Sequence, residues 1–387
     1  MSQSPVKIYF VLGEESGDAL GADLFPALLQ KGADEDRPVE IVGLAGTRLT
    51  SLGVKSLFDI EDISVMGITA VLARLPKIVR RIYQTVADIV AHKPDIIVLI
   101  DSPDFCHAVA KRVRKKLPET PIINYVCPSV WAWRTGRAPK MRVFVDHVLT
   151  ILPFEPKELK RLGGPEGTYV GHPMARHIQG LQARQNHQPA QESEKPVLLM
   201  LPGSRRSEIK TMLPEFKKTV EILADRGAEF SLVLPAVSRF RSELVEQTSS
   251  WRVRPVVIDA SQNDTTFANA HAALATSGTV LLQLALHRVP TVAGYKLDWF
   301  VRTFIMKNIK IWSSSLPNLI ADRQVISDAV NEMVIPGRMA RDLERLLTDT
   351  TQRRAQLEGF EEVIEAMKTE RPTNLLSAEV IFDHLKS

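Results

Sequence analysis

Cysteine is almost absent: Cys106 and Cys127 are the only two in 387 residues. That argues against a disulfide scaffold and fits a reducing cytosol. Neither sign of charge dominates, since 49 basic and 45 acidic residues leave a formal net charge of +4. So small a surplus does not imply nucleic-acid binding. No stretch approaches the roughly 18 apolar residues of a membrane-spanning helix. The apolar run Ile8–Leu12 is too short for a signal peptide, and Glu14, Glu15 and Asp18 follow it at once, so a soluble or surface-bound protein is expected. The nine histidines are dispersed, with neither H-E-x-x-H nor Cys/His metal spacing, so no metal is expected. Asp34-Glu35-Asp36 is a literal D-x-D, but no strand feeds it, and it reads as a solvated loop.

What is present is an ordinary globular balance of 44% apolar and 24% charged residues. At about 150 residues per domain, the length predicts two or three domains. β-Branched runs at Lys7–Leu12, Glu40–Ala45, Asp95–Ile100, Pro121–Val126, His147–Leu152 and Thr168–Val170 read as strands. Several are apolar on both faces, as strands of a buried parallel sheet are. Helical patterns at Asp18–Lys31, Lys77–His92 and His107–Leu117 alternate with them. Gln179–Glu194 is polar, contains Pro189 and reads as a linker. The alternation then resumes with strands at Val197–Leu201, Phe230–Leu234, Val256–Ile258, Ala272–Ala275 and Thr291–Gly294, and helices at Glu215–Arg226, Thr279–Leu286 and Met339–Met367. The expected architecture is α/β: two Rossmann-like domains facing a central cleft, each offering the carboxyl ends of its strands. Boundaries fall at 1–178 for the first domain, 179–195 for the linker and 196–345 for the second domain. The helices of 346–387 pack back on the body or are exchanged in a dimer.

Five segments can carry chemistry. Gly13-Glu14-Glu15-Ser16-Gly17-Asp18 follows the first strand and opens a helix, where free N–H groups can meet an anion or a sugar oxygen; Ser16 or Asp18 could equally cap that helix. Its spacing is not that of a dinucleotide-binding G-x-G-x-x-G. Asp101, at the end of an apolar strand in Asp101-Ser102-Pro103-Asp104-Phe105, reads as a general base or as a turn-forming Asp, and Asp104 as a helix cap. In Pro128-Ser129-Val130-Trp131-Ala132-Trp133-Arg134 the indoles can stack on a sugar, touch an acyl chain or pack between domains. Cys127 beside them reads as a packed small side chain. Leu201-Pro202-Gly203-Ser204-Arg205-Arg206 is a strand–turn–helix junction that can cradle a phosphate, though it is no Walker A loop. Ser277-Gly278-Thr279 forms a second such cradle, and the pair points to a nucleoside diphosphate. Two further stretches, 63–83 and 295–312, combine apolar positions with basic ones and can either lie in a membrane interface or pack in the core.

Taken in order, GEESGD at 13–18, SVMG at 64–67, DSPDF at 101–105, PSVWAWR at 128–134, LPFEP at 152–156, GHPM at 171–174, LPGSRRSEI at 201–209, ATSGT at 275–279 and SLPNLIA at 315–321 resemble the lipid-A-disaccharide synthase family, inverting glycosyltransferases of GT-B type. The resemblance implies transfer from UDP-2,3-diacylglucosamine to the 6-hydroxyl of 2,3-diacylglucosamine 1-phosphate, giving a β-(1→6) disaccharide and UDP. It implies Asp101 as base and Arg205 as the other catalytic group. Substrate would be bound by Glu15, Ser16, Gly17, Met66, Trp131, Trp133, Ser204, Glu208, Ser277, Gly278, Thr279, Gln283, Asn318 and Arg323. No cofactor or metal is implied. Peripheral attachment to the inner membrane from the cytoplasmic side, and a homodimer, are. Gln283 stands where the family usually has Glu, which removes charge assistance from a ribose contact, worth about 1 kcal/mol. The alternatives are another GT-B sugar-nucleotide enzyme, such as a UDP-N-acetylglucosamine 2-epimerase or a MurG-like transferase, and a non-catalytic nucleotide-sugar or lipid-binding module.

Overall fold

The computed structural model describes residues 4–64, 68–175, 195–297 and 309–385. The chain divides into two units, Met1–Pro173 with Thr369–Ser387, and Met174–Lys368. The expected linker at 179–194 lies outside the described residues.

In the first unit the order is β1 (Val6–Leu12), α1 (Glu15–Asp34), β2 (Val39–Gly43), α2 (Thr47–Ser51), α3 (Ile68–His92), β3 (Ile96–Ile100), α4 (Pro103–Val113), β4 (Ile122–Tyr125), α5 (Arg137–Met141), β5 (His147–Thr150), α6 (Glu155–Arg161) and β6 (Glu166–Tyr169). The six strands form one parallel sheet in the order β2-β1-β3-β4-β5-β6. All five residues of β3 are buried, because helices cover both faces of the sheet.

The second unit runs β7 (Val197–Leu201), α7 (Arg206–Asp225), β8 (Ser231–Ala236), α8 (Ser238–Thr248), β9 (Val256–Asp259), α9 (Asn263–Ala268), β10 (Ala272–Thr276), α10 (Thr279–Leu286), β11 (Thr291–Tyr295), α11 (Leu316–Ala321), β12 (Ser327–Val330), α12 (Pro336–Leu347) and α13 (Thr351–Ala366). Its sheet is again parallel, in the order β12-β11-β10-β7-β8-β9.

Several elements depart from the sequence reading. Helices expected to start at Lys77 and Glu215 start at Ile68 and Arg206, so Pro76 and Pro214 lie inside them rather than at their boundaries. The expected helix Met339–Met367 is two, parted at Thr348-Asp349-Thr350, where the Thr350 hydroxyl accepts from the Arg353 N–H and caps α13. Strand β12 carries no apolar alternation, and all four of its residues are half-buried. The second unit extends past residue 345: Gln356 on α13 accepts from the Thr291 N–H and donates to the carbonyls of Thr291 and Val325. Only the last helix, α14 (Thr373–Asp383), joins the first unit. There Ala378, Ile381 and Phe382 enter the core, and Asn374 donates to the Asp23 carbonyl on α1.

His107 on α4 is buried with its Nε2 3.1 Å from Asn124 Oδ1 and its ring edge-on to Phe144. Burial, opposed by the Asn124 contact and aided by the Arg137 and Lys111 charges, lowers its pKa to about 4. The unfolded chain therefore binds the extra proton first as pH falls, and stability is lost between about pH 6.5 and 4. Across that window the native protein is expected to lose about 3 kcal/mol more than His107→Gln, measured as unfolding free energy in denaturant titrations at each pH.

Candidate active site

In each sheet the chain reverses its direction of travel beside its first strand. From β1 it goes out to β2, then returns to place β3 on the other side; from β7 it goes out to β8 and β9, then returns to β10. Adjacent loops diverge at such points and leave room for a ligand at the carboxyl ends of the strands. The motif loops stand at these points.

In the first unit they are 13–17 after β1 and 101–104 after β3. The Ser16 hydroxyl donates to Asp101 Oδ2 at 2.6 Å, and the Asp101 N–H donates to the Tyr125 carbonyl. Gly17 permits this approach, since a Cβ there would stand 3.0 Å from the Ile100 carbonyl oxygen. Asp101 and Ser102 both take left-handed backbone, with φ of 56° and 43°; two such non-glycine residues in succession cost free energy and gather at functional loops. The half-buried Asp101 carboxylate is thus held at the strand tip. Its charge, together with partial desolvation as the larger cause, raises the carboxyl of Glu14 above its ordinary value. Glu15 is exposed.

Neither Asp18 nor Asp104 caps its own helix. Asp18 is buried and accepts from the N–H groups of Gly46, Arg48 and Leu49, so it caps α2 rather than its own helix. Asp104 lies inside the first turn of α4, after Ser102 at the cap position, and pairs with Arg137.

In the second unit the loops after β7 and β10 share one cavity of about 410 Å³ with Ser204, Arg205, Glu208, Ser277, Gly278, Thr279 and Gln283 in its wall. Gly203 has φ 119°, and a Cβ on it would stand 2.5 Å from that of Glu208. That proximity lets the Glu208 carboxylate turn back on the loop. It accepts from the N–H groups of Ser204 and Arg205 and pairs with the Arg205 guanidinium. Glu208 thereby fixes the turn, while Ser204 and Arg205 remain exposed. The cap residue Gly278 of α10 offers no side chain; the Leu281 N–H donates to the Gly278 carbonyl, and the N–H groups before it are open to an anion. Ser277 donates to the Ser314 carbonyl. Behind it, Asp328 accepts from Ser313 Oγ and the Ser314 N–H, and Asn318 donates to Ser313 Oγ. Asn318 is buried, its Oδ1 taken by the N–H groups of Val325 and Ile326, so it supports the loop from within.

Other candidates stand on other segments. Arg323 pairs with Glu362 beside a different cavity, at the amino ends of β11 and β12. Trp131 is buried, donates its indole N–H to Glu155 and packs edge-on to Phe154. Burial raises Glu155 to about 7, against the opposing hydrogen bonds from Leu152, Trp131 and Ile151. Trp133 is half-buried under the Arg134 guanidinium. Met66 lies outside the described residues. Cys106 and Cys127 are buried, which pushes both thiols up and leaves them unreactive at neutral pH.

Sequence reasoning did not single out Thr276 or Asn263, which line the cavity shared by the loops after β7 and β10. The buried Thr276 Oγ1 and Asn263 Oδ1 have no hydrogen-bond partner among the described residues. Thr276 ends a strand just before a recognised turn, which was a usable signal; Asn263 had none.

The family model for lipid-A-disaccharide synthetase matches residues 8–380. The chain belongs to that family. It is 42% identical to a lipid-A-disaccharide synthase of Nitrobacter winogradskyi, over 98% of this chain and 96% of the relative. It is 41% identical to one of Bradyrhizobium diazoefficiens, over 97% and 95%. Membership makes it a glycosyltransferase of lipid A biosynthesis. Among solved structures, the glycosyltransferase of kitacinnamycin superposes with a TM-score of 0.61 at 13% identity, covering 99% of this chain and all (100%) of that one. A UDP-GlcNAc 2-epimerase from Neisseria meningitidis gives 0.56 at 13%, covering 98% and 99%. These likenesses establish a shared GT-B fold.

Gly203→Ala is expected to cost at least about 1 kcal/mol of stability, seen as a lower denaturant midpoint with an unchanged slope.

Proposed function

We propose that the protein joins UDP-2,3-diacylglucosamine to 2,3-diacylglucosamine 1-phosphate by a single inverting displacement, with the acceptor handled by the first unit and the donor by the second. Asp101 takes the proton of the acceptor 6-hydroxyl as its oxygen bonds to the anomeric carbon. The bond from that carbon to the diphosphate oxygen breaks, and its electron pair leaves on UDP. The observation that carries the reading is Asp101 held at the tip of β3, at the switch point of its sheet, with Ser16 bound to its carboxylate.

On the leaving side, the uncapped first turn of α10 and the exposed Arg205 suit a diphosphate. Gln283, in the same cavity wall, suits a ribose hydroxyl. UDP is a good leaving group at neutral pH, so the reading needs neither a protonating acid nor a metal. A peripheral membrane site is favoured by α3, where Leu75, Val79 and Tyr83 are exposed beside exposed Arg74, Lys77 and Arg80, the composition of an interfacial helix. The homodimer belongs to the same proposal.

Asp101→Asn is expected to lower kcat by roughly 10²–10⁴-fold while UDP affinity stays within about twofold; unchanged turnover in a disaccharide-forming assay would remove Asp101 from the reaction. Arg205→Ala is expected to cost about 2–4 kcal/mol in kcat/KM with wild-type thermal stability. Normal kinetics in a destabilised protein would make that arginine structural.

A further inference from the structure

Ser102 is the residue next to the proposed base, and its hydroxyl has no partner among the described residues. The residue is only 9% exposed, and its Oγ is buried without a hydrogen-bond partner among those residues. An unpartnered buried hydroxyl costs free energy. This one is also carried on left-handed backbone directly before Pro103, a conformation that the following proline disfavours. Gly13 leaves it room: a Cβ on Gly13 would stand 3.1 Å from both the Ser102 Cβ and Oγ.

Ser102 and Gly13 both line a cavity of about 370 Å³ within the first unit. Apart from Glu14 and Asp104 at its rim, the wall is apolar: Leu75, Ile78, Val79 and Ile82 of α3, with Ile63 and Phe105. The four α3 residues recur at i, i+3, i+4 and i+7, one stripe of a helix. Instead of being sealed in the core, the stripe leaves Leu75 and Val79 46% and 41% exposed. The result is an apolar groove with a single orphaned donor at the end next to Asp101.

We propose that this groove holds an acyl chain of the acceptor, and that the Ser102 hydroxyl donates to the carbonyl oxygen by which that chain joins the sugar. The inference rests on the reading above, in which Asp101 deprotonates an acylated acceptor, and adds the subsite that measures its chain. A chain anchored at its carbonyl beside Asp101 lays its first methylenes along Leu75, Ile78, Val79 and Ile82, each methylene worth about fourfold in affinity. Selectivity for acceptor chain length then resides in α3.

The test uses the full-length enzyme with acceptors and donors whose acyl lengths are varied independently, together with an acceptor in which an alkyl link replaces the carbonyl. With wild type, kcat/KM is expected to rise by about fourfold per acceptor methylene to a plateau. Val79→Trp, which narrows the groove from its exposed side, is expected to move that plateau to shorter chains. Ser102→Ala is expected to lower kcat/KM about three- to tenfold for acyl acceptors and to have no effect on the carbonyl-free one, with a melting temperature at or above wild type. An unmoved plateau in Val79→Trp overturns the inference. So does equal sensitivity of both acceptors to Ser102→Ala, or a shift confined to the donor series, which would assign the groove to the other substrate. Wild type forming no disaccharide from any pair would instead overturn the underlying reading.

Discussion

Two neighbouring parallel strands whose loops leave in opposite directions set up everything else in each unit. Between β1 and β3, and again between β7 and β10, the chain leads away in opposite directions across the sheet, so the loops at those ends diverge. Backbone donors and motif side chains at such a point have a ligand-sized space before them. In the first unit the space is narrowed by Gly17, whose missing side chain lets α1 reach the end of β3 and brings Ser16 onto Asp101. In the second, the turn at Gly203 and the uncapped start of α10 face one shared cavity.

The acidic residues of the motifs divide between chemistry and scaffolding. Asp18 spends its oxygens on backbone N–H groups, Glu208 on two such groups and the Arg205 guanidinium, and Glu155 on two such groups and an indole. Each such carboxylate fixes a loop that a purely apolar core could not hold, because diverging loops leave N–H groups that must be satisfied. Asp101 differs in that, among the described residues, its carboxylate meets a single hydroxyl. Its remaining acceptor capacity is what a proton-abstracting group needs.

The alternation of strands and helices and the loops that carry the motifs were legible in the residues, since buried parallel strands appear as unbroken apolar runs such as Ile96–Ile100. Helix starts were less so. Pro76 and Pro214 look like boundaries, because proline breaks a hydrogen bond wherever it falls, yet in both helices tertiary packing outweighs that cost. Strand β12 was invisible: Ser327-Asp328-Ala329-Val330 has no apolar period, and its pairing with β11 makes it a strand. At the site, residue type and motif identified the loops, while the division of labour within them depended on long-range pairs, such as Asp18 with the start of α2. Spacing along a sequence carries no trace of those. The orphaned hydroxyl of Ser102 is a similar case, since only the surrounding atoms show that no described residue bonds to it.

The return of α14 to the first unit has a consequence for the order of assembly. Ala378, Ile381 and Phe382 belong to the core around β1 and α1, but the ribosome makes them only after every strand of the second sheet has been synthesised. Domains of nascent chains tend to fold in order of emergence; here the second unit, continuous from Met174 to Lys368, has its full complement of strands while the first still presents an unsealed flank on α1. A chaperone that recognises exposed apolar surface would find its target on the older half of the growing polypeptide.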